Sequence, residues 1–172
     1  MAKNRYYHYF VEGQDEEKVV QVLKTDLRCI VPGKVQVFNV IEQKLTKMRL
    51  MSLKPDTVVV LVFDTDTGKT ATLLDNIRFL KTAANVKEVL CVTQVKNLED
   101  ELMRSCDIKQ IRELTGSRSN KDYKHDMRGD SHFYQKLKNR NFRFEAFWNS
   151  TDKTFQEKGI RNDAYKIKCD KI

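Results

Sequence analysis

A run of seven consecutive residues, Thr57-Val-Val-Val-Leu-Val-Phe63, restricts the fold of this chain more than any other feature. Pro55 and Asp56 form a turn signal before the run, and Asp64 follows it. An apolar run of this length is typical of a central strand in a parallel sheet, because both faces of such a strand are buried. The run therefore predicts a buried parallel strand with an acidic residue at its carboxyl end.

Further strand and helix patterns flank this run in alternating order. Tyr6 to Val11 is aromatic and β-branched, and Asp15 to Leu27 then carries apolar residues at helical spacing. The remaining predicted segments are strands at Lys34–Val40 and Lys87–Val95 and helices at Ile41–Leu53, from Lys69 to Leu80, from Asn97 to Met103 and at Ile108–Leu114. This alternation predicts the α/β class, with a mostly parallel four-stranded sheet and helices on both faces, as in Rossmann-like folds.

The last third of the chain is predicted to be a short basic extension that packs on the same domain. With 172 residues the chain suits one domain, which we divide into a core at residues 1–116 and an extension at residues 117–172. Within the extension we predict a helix from Asp122 to Leu137, interrupted near Gly129, and a last strand from Phe142 to Trp148. The aromatic residues of that strand are expected to close the core, or alternatively to form a partner interface.

The charge of the chain favours a polyanionic partner. The formal net charge is +8, and many Lys and Arg residues lie beyond Arg104, which is typical of proteins that bind DNA or RNA. No apolar run is long enough to span a bilayer, and the first residues lack the apolar segment of a signal peptide, so no membrane association is expected. The four cysteines form no Cys-x-x-Cys motif, which indicates reduced thiols, a cytoplasmic location and no structural zinc site.

Carboxylates follow two of the predicted strands. Glu12 comes after the first strand, Glu16 lies at the start of the next helix, and Asp64 and Asp66 follow the third strand. Because parallel sheets bind ligands at the carboxyl ends of their strands, we expect these side chains to converge. Clustered carboxylates repel one another and Mg²⁺ or Mn²⁺ takes oxygen ligands, so the cluster predicts a site for one or two such ions. The alternative is structural, since each acid could instead stabilise a helix N-terminus.

The segment Tyr9-Phe-Val-Glu12-Gly13-Gln-Asp-Glu16, followed later by Val60-Leu-Val-Phe-Asp64-Thr-Asp66, resembles the Toprim domain. That family includes topoisomerases, bacterial primases, OLD-family nucleases and small ribosomal-RNA maturases. Its pattern is a glutamate after the first strand and an Asp-x-Asp after the third, and the OLD-like branch adds a second acid four residues after the first. The residues to which the resemblance assigns catalysis or metal binding are Glu12, Glu16, Asp64 and Asp66.

A free-standing domain of this size resembles a nuclease of this family, or one subunit of a defence or maturation system. Topoisomerases and primases need large additional domains, which this chain lacks. OLD-like nucleases carry a late acidic residue after the fourth strand, and Asn97-Leu-Glu99-Asp-Glu101 resembles that position. The resemblance therefore implies Glu101, or Glu99, as a further metal ligand, although a solvated helix face explains these acids as well.

Gly68-Lys69-Thr70 invites comparison with a phosphate-binding P-loop. That motif needs a glycine at the position of Phe63, so the match fails. Lys69 could still contact a scissile phosphate or stabilise developing charge beside the acidic pair, which makes it a candidate catalytic residue. The alternative is a solvated surface lysine.

The polar and basic segment around Ser117–Asp126 is the candidate contact for nucleic acid. Lys and Arg side chains bind phosphate oxygens, and aromatic rings stack on bases. The candidates are Arg118, Lys121, Tyr123, Lys124, His125 and Arg128, with Tyr123 as the stacking residue. His125 could also serve as a general acid or base. The alternative is an ordinary solvated charged surface.

Together these features predict a divalent-metal-dependent nuclease, or a related phosphodiester-transfer enzyme, that acts on DNA or RNA. The alternative is a non-catalytic subunit of the same fold that binds nucleic acid or a protein partner such as an ATPase within a larger complex. A binding subunit needs no divalent ion, so ion occupancy separates the two hypotheses.

Overall fold

The computed structural model describes residues 5–169 and contains a four-stranded sheet in which neighbouring strands are parallel. The strands are β1 (Tyr6–Val11), β2 (Lys34–Val37), β3 (Thr57–Asp64) and β4 (Val86–Gln94), in the spatial order β2-β1-β3-β4. The predicted α/β class is therefore confirmed. The predicted segments 1–116 and 117–172 also include residues 1–4 and 170–172, which lie outside the described residues.

Helices connect the strands and continue beyond the last one. Helix α1 (Gln14–Gln21) continues as a π-helical turn at Val22–Asp26, and α3 (Ala71–Thr82) links β3 to β4. The other helices are α2 (Lys47–Met51), α4 (Leu98–Ser105), α5 (Arg112–Thr115), α6 (Tyr123–Gly129), α7 (Phe133–Asn139) and α8 (Lys153–Glu157), with a 3₁₀ turn at Ala164–Lys166. Within residues 5–169, no helix has the length and apolar character needed to cross a membrane.

The apolar run of β3 lies at the centre of the molecule, and its residues 57–63 are all buried. Alternate side chains enter two separate hydrophobic cores. Val58, Val60 and Val62 lie in the first core, and Val59, Leu61 and Phe63 lie in the second. Because β3 pairs with β1 on one side and β4 on the other, this strand has no free edge. The prediction of a central parallel strand buried on both faces is confirmed.

Helices cover both faces of the sheet. Residues of α1, α4, α5, α6 and α7 contribute to the first core, and residues of α2, α3 and α8 contribute to the second. The residues after 116 take part in both cores, since Trp148 lies in the first and Phe155 in the second. Ile30 and Lys168 form an antiparallel bridge that ties the end of the described chain to the loop before β2. The basic extension thus packs on the same sheet as the preceding residues.

The predicted strand at Phe142–Trp148 is wrong, because this segment forms turns. Phe147 and Trp148 are adjacent and both buried in the first core, whereas adjacent side chains of a strand point to opposite faces. Trp148 also has a φ of 55°, in the left-handed region that strands do not use. The prediction that these two aromatic residues close the core is confirmed.

The predicted helix at Ile41–Leu53 is much shorter in the structure, where it consists of α2 alone. Residues 38–46 form a loop in which polar side chains form hydrogen bonds with several backbone groups. Asn39 Oδ1 accepts hydrogen bonds from two backbone N–H groups of the loop. Asn76, which is buried on α3, accepts one further N–H and donates to two loop carbonyls. These bonds replace those that a helix would have made.

The outer edge of β4 is covered by the C-terminal segment. Cys91 N donates to Asp163 Oδ2 at 3.0 Å, and Asp163 N donates to Cys91 O at 2.7 Å. Asp163 therefore satisfies both edge-facing backbone groups of Cys91, which another strand could otherwise bind.

Candidate active site

Glu12 and Asp64 lie at the topological switch point of the sheet. From β1 the chain crosses to β2 on one side, and from β2 it returns to β3 on the other side of β1. Parallel α/β sheets bind ligands in the crevice between the carboxyl ends of two such strands. Glu12 directly follows β1 and Asp64 is the last residue of β3, so both residues lie at this crevice.

A hydrogen bond joins these two acidic positions. Asp64 N donates to Glu12 Oε2 at 2.9 Å, and the Asn39 side chain donates to Glu12 Oε1 at 3.3 Å. The Glu12 carboxylate thus connects β3 with the loop after β2. Burial raises the pKa of Glu12, the bond from Asp64 N lowers it, and the nearby charge of Asp66 raises it again.

Asp64 is held from the other side by Gln94, the last residue of β4. In the register of the sheet Asp64 pairs with Gln94, and Gln94 Nε2 donates to Asp64 Oδ1 at 2.6 Å. Burial is the largest cause that raises the pKa of Asp64 to about 8, followed by the Glu12 carboxylate, while the bond from Gln94 opposes them. At neutral pH the metal-free protein therefore carries Asp64 mostly as the neutral acid.

Glu16 is a third acid of this cluster. It lies in the first turn of α1 and is buried. Burial raises its pKa, and the charges of Asp15 and Glu12 raise it further. Gly13 makes room for its carboxylate, because a Cβ added at Gly13 would lie only 3.1 Å from Glu16 Oε2. Glu16 therefore lies close to the turn between β1 and α1, within electrostatic range of Glu12.

Asp66 and Lys69 occupy the exposed turn after β3. Asp66 N donates to Lys96 O at 3.1 Å, and the Asp66 charge raises the pKa of both Glu12 and Asp64. Lys69 Nζ lies 3.5 Å from Glu42 Oε1. Asp66 therefore lies within electrostatic range of the acidic pair, whereas Lys69 contacts the loop after β2.

Glu101 has a structural role, which corrects its prediction as a metal ligand. Its carboxylate is completely buried. Oε1 accepts hydrogen bonds from Val95 N at 3.0 Å and from Arg104 at 2.9 Å, and Oε2 accepts one from Trp148 N at 3.0 Å. A buried carboxylate needs such partners, and these three donors fix the turn after β4 to the C-terminal segment.

The prediction that Tyr123 stacks on a base is also wrong. Tyr123 is only 1% exposed and packs in the first core beside the similarly buried Met127. The two residues are four positions apart on α6, so they lie on the same helix face. That spacing is visible in the sequence and could have identified Tyr123 as a core residue.

Lys124 and Arg128 lie on α6 and both contact Asp15 of α1, at 3.4 and 2.5 Å. Lys124 also pairs with Glu99 at 3.0 Å. Because Asp15 directly precedes Glu16, this pair of cations stands next to the acidic cluster. The Glu16 charge contributes to the raised pKa of Arg128, after the larger effect of Asp15. The structure therefore places two of the predicted phosphate contacts beside the carboxylates.

The other predicted nucleic-acid contacts are Arg118, Lys121 and His125, and all three are exposed. Arg118 and Lys121 lie on the loop before α6, and His125 lies on α6 itself. Arg118 O accepts a hydrogen bond from Arg112 at 3.2 Å, which helps to fix the loop. Their contact with nucleic acid stays a prediction.

The acidic cluster has the chemistry that Mg²⁺ or Mn²⁺ prefers, since its members offer only oxygen ligands. Burial is the largest cause of the raised pKa values of Glu12, Glu16 and Asp64, and the charges of neighbouring carboxylates raise them further. Within residues 5–169, no group of three or more His, Cys, Asp or Glu side chains is arranged to hold an ion. Mg²⁺ commonly takes one or two protein carboxylates together with waters, and Glu12 and Asp64 fit that arrangement.

Three residues of this site are absent from the sequence-based prediction: Asn39, Gln94 and Trp148. Asn39 follows β2 and Gln94 ends β4, so the rule that placed Glu12 and Asp64 also applies to them. Both side chains are neutral amides, and the sequence-based prediction considered only charged residues at the strand ends. Trp148 Nε1 donates to Gln94 Oε1 at 3.1 Å across 54 residues of sequence, and no local pattern indicates such a contact.

Comparison with known proteins adds no assignment. The chain matches no protein-family model, and neither the curated proteins nor the solved structures gave a significant match.

Proposed function

We propose that this protein is a divalent-metal-dependent nuclease of the Toprim-like type, which hydrolyses phosphodiester bonds of DNA or RNA in the cytoplasm. The observation that supports this proposal best is the contact between Glu12 and Asp64 at the switch point of the sheet. Glu16 and Asp66 add further negative charge to the same crevice. Burial raises the pKa of Glu12, Glu16 and Asp64, and their mutual repulsion raises it further, which a bound cation would relieve.

The residues of the chain divide into three roles in this proposal. Glu12 and Asp64 would hold one Mg²⁺ or Mn²⁺ ion together with waters, and Glu16 and Asp66 would be the further carboxylates for a second ion. A bound divalent cation neutralises phosphate charge and lowers the pKa of a water. Lys124 and Arg128 would bind backbone phosphates near the acidic cluster. Arg118, Lys121 and His125 would contact the nucleic acid farther from this cluster, and Lys69 would contact it at the turn after β3. Gln94 orients Asp64 through its hydrogen bond.

The reaction is hydrolysis, in which a water oxygen forms a bond to phosphorus and one P–O ester bond breaks. Positioning of the scissile phosphate is the contribution that the chain itself can make. The cations on α6 stand beside α1, and α1 carries Glu16. A phosphate held by Lys124 and Arg128 would therefore lie next to the carboxylates, and the net charge of +8 favours its approach.

The test is cleavage of labelled single- and double-stranded DNA and RNA in Mg²⁺, Mn²⁺ or EDTA, with Asp64→Asn as the variant. We expect metal-dependent cleavage that Asp64→Asn lowers by at least about a hundredfold, because the substitution removes a ligand charge. Asp75→Asn is the matched control, since Asp75 is exposed on α3 and pairs only with surface cations. Cleavage that persists in excess EDTA, or an equal loss in both variants, would contradict the proposal.

A second candidate function is a non-catalytic subunit that binds nucleic acid or a partner such as an ATPase. The observation that favours it is the engagement of both Glu12 oxygens by Asp64 N and Asn39, which leaves fewer acceptor sites for an ion. In that case binding of nucleic acid should be the same in EDTA and in Mn²⁺. Asp64→Asn should then leave the affinity unchanged near neutral pH, where Asp64 is mostly protonated, and raise it above about pH 8, where the substitution removes a repelling charge.

A further inference from the structure

Trp148 adopts a backbone conformation that is unusual for a bulky residue. Its φ is 55°, in the left-handed region, and its side chain is only 1% exposed. Such a conformation costs free energy and persists only where the surroundings fix it, and it often marks a functional position. The neighbours of Trp148 therefore indicate what the conformation serves.

Two polar side chains, the buried Glu101 and the half-buried Asn162, hold the backbone of Trp148 in place. Glu101 Oε2 accepts a hydrogen bond from Trp148 N at 3.0 Å, and Asn162 donates to Trp148 O at 2.8 Å. Asn162 also donates to Ser150 O at 3.0 Å, which fixes the chain that follows. Every polar group of the Trp148 backbone thus has a partner, and the strained conformation is held from both sides.

This conformation aims the indole ring at Gln94. Trp148 Nε1 donates to Gln94 Oε1 at 3.1 Å, and Gln94 Nε2 donates to Asp64 Oδ1 at 2.6 Å. A glutamine amide has one acceptor side and one donor side. Because the indole N–H can only donate, it takes the acceptor side and leaves the NH₂ group to face Asp64. Gln94 is completely buried, so no solvent competes for either side.

We propose that Trp148 is a positioning residue that fixes the orientation of the Gln94 amide and, through it, the side chain of Asp64. The importance of this orientation for metal binding rests on the function proposed above. Because Gln94 holds Asp64 Oδ1, it restricts the rotation of the Asp64 carboxyl group, which the proposed function assigns as a metal ligand. Residues that orient a metal ligand typically change metal affinity strongly when they are replaced.

Without the indole N–H, the Gln94 amide loses the contact that decides between its two orientations. In Trp148→Phe the amide can turn its oxygen towards Asp64, and the NH₂ group then no longer holds Asp64 Oδ1. Gln94→Met removes the amide altogether at similar side-chain length. The control is Phe147→Leu, because Phe147 is the adjacent buried aromatic residue and carries no polar side-chain atom.

The first measurement is exchange of the Gln94 side-chain amide protons with D₂O in ¹⁵N-labelled, metal-free protein, with Gln94→Met used to assign the signals. In the wild-type protein we expect slow exchange, because the amide is buried and bonded. In Trp148→Phe the exchange should be at least about tenfold faster, whereas Phe147→Leu should stay close to the wild type. Equal exchange rates in Trp148→Phe and Phe147→Leu would overturn the proposal.

The second measurement is the affinity for Mn²⁺ by calorimetry. Trp148→Phe and Gln94→Met should each weaken binding about tenfold, and the double variant should be no weaker than either. Losses that add in the double variant would overturn the coupling between the two residues. If Trp148→Phe does not fold, an unchanged affinity in Gln94→Met overturns the link to Asp64. If the wild-type protein binds no Mn²⁺, the metal-dependent function fails, while the exchange rates still decide whether Trp148 orients Gln94.

Discussion

Glu101 and Asp64 have different roles in this protein, although both side chains are carboxylates. Glu101 is buried among three hydrogen-bond donors and fixes a turn. Asp64 is held by one amide donor, and its burial together with the neighbouring Glu12 carboxylate raises its pKa to about 8. The surroundings of each carboxylate, rather than its position after a strand, decide whether it is a structural group or a candidate ligand.

The raised pKa of Asp64 predicts how the metal-free protein responds to pH. From about pH 4 to about pH 8 the folded protein holds a proton on Asp64 that the unfolded chain has released. The free energy of unfolding should therefore fall as the pH rises through this window. Asp64→Asn removes this contribution, so between pH 5 and pH 8 the variant should gain about 1–3 kcal/mol relative to the wild type.

Urea unfolding of both proteins in EDTA at several pH values measures this difference. Unfolding free energies that run parallel with pH would contradict the raised pKa of Asp64. Added Mn²⁺ should stabilise the wild type and have little effect on Asp64→Asn, because only the wild-type site keeps all of its carboxylates.

Gly13→Ala tests the space around Glu16. An alanine Cβ would lie 3.1 Å from Glu16 Oε2, so the carboxylate has to shift by a few tenths of an ångström. The backbone at Gly13 is extended, which alanine adopts easily. We therefore expect a Mn²⁺ affinity lowered several-fold, with a change of less than about 1 kcal/mol in stability. Gly129→Ala is the control, because a Cβ there meets nothing within 4 Å.

At the level of elements, α6 is attached to α1 by cations that are also candidate phosphate contacts. Lys124 and Arg128 meet at Asp15, and the neighbouring face of α6 is buried in the first core through Tyr123 and Met127. The helix therefore has one face that fixes its position and one that presents positive charge beside the acidic crevice.

The double variant Lys124→Ala/Arg128→Ala should weaken nucleic-acid binding and lower the salt slope of log affinity by about 2, since each phosphate contact contributes about 1. The matched control is Lys81→Ala/Lys87→Ala, which removes two exposed charges near the start of β4, at the other end of the sheet. Binding measured by fluorescence anisotropy at several salt concentrations compares the two pairs. An equal slope change in both pairs would contradict a specific role of α6.

The sequence predicted those elements whose signals are local. The run in β3, the alternation of strands and helices, and the interruption near Gly129 all depend on neighbouring residues, and the structure contains them. The segment before α2 and the segment at Phe142–Trp148 were mispredicted because distant side chains determine them. Asn76 forms hydrogen bonds with the backbone of the segment before α2. Glu101 and Asn162 form hydrogen bonds with the backbone of Trp148. The Glu12–Asp64 contact followed from topology, whereas the Trp148–Gln94 contact required the tertiary structure.

On the scale of the whole molecule, the C-terminal segment is part of the core and not an independent tail. Phe155 and Ile160 are buried in the second core, and Ile167 is buried in the first. Truncation after Asn149 should therefore abolish cooperative thermal unfolding, because it opens both cores and frees the edge of β4. Circular dichroism melting measures this, and a cooperative transition close to that of the full chain would contradict the single-domain arrangement.

The contact between Asp163 and Cys91 also bears on how copies of this protein can associate. Growth of a chain of molecules by strand addition needs two open sheet edges on each copy, one to accept and one to donate. Asp163 already occupies the backbone groups of Cys91 near the middle of β4, which disfavours the addition of a strand at this edge. Strand addition is therefore favoured at the β2 edge, and association through one edge of each copy would join two molecules rather than build a fibre.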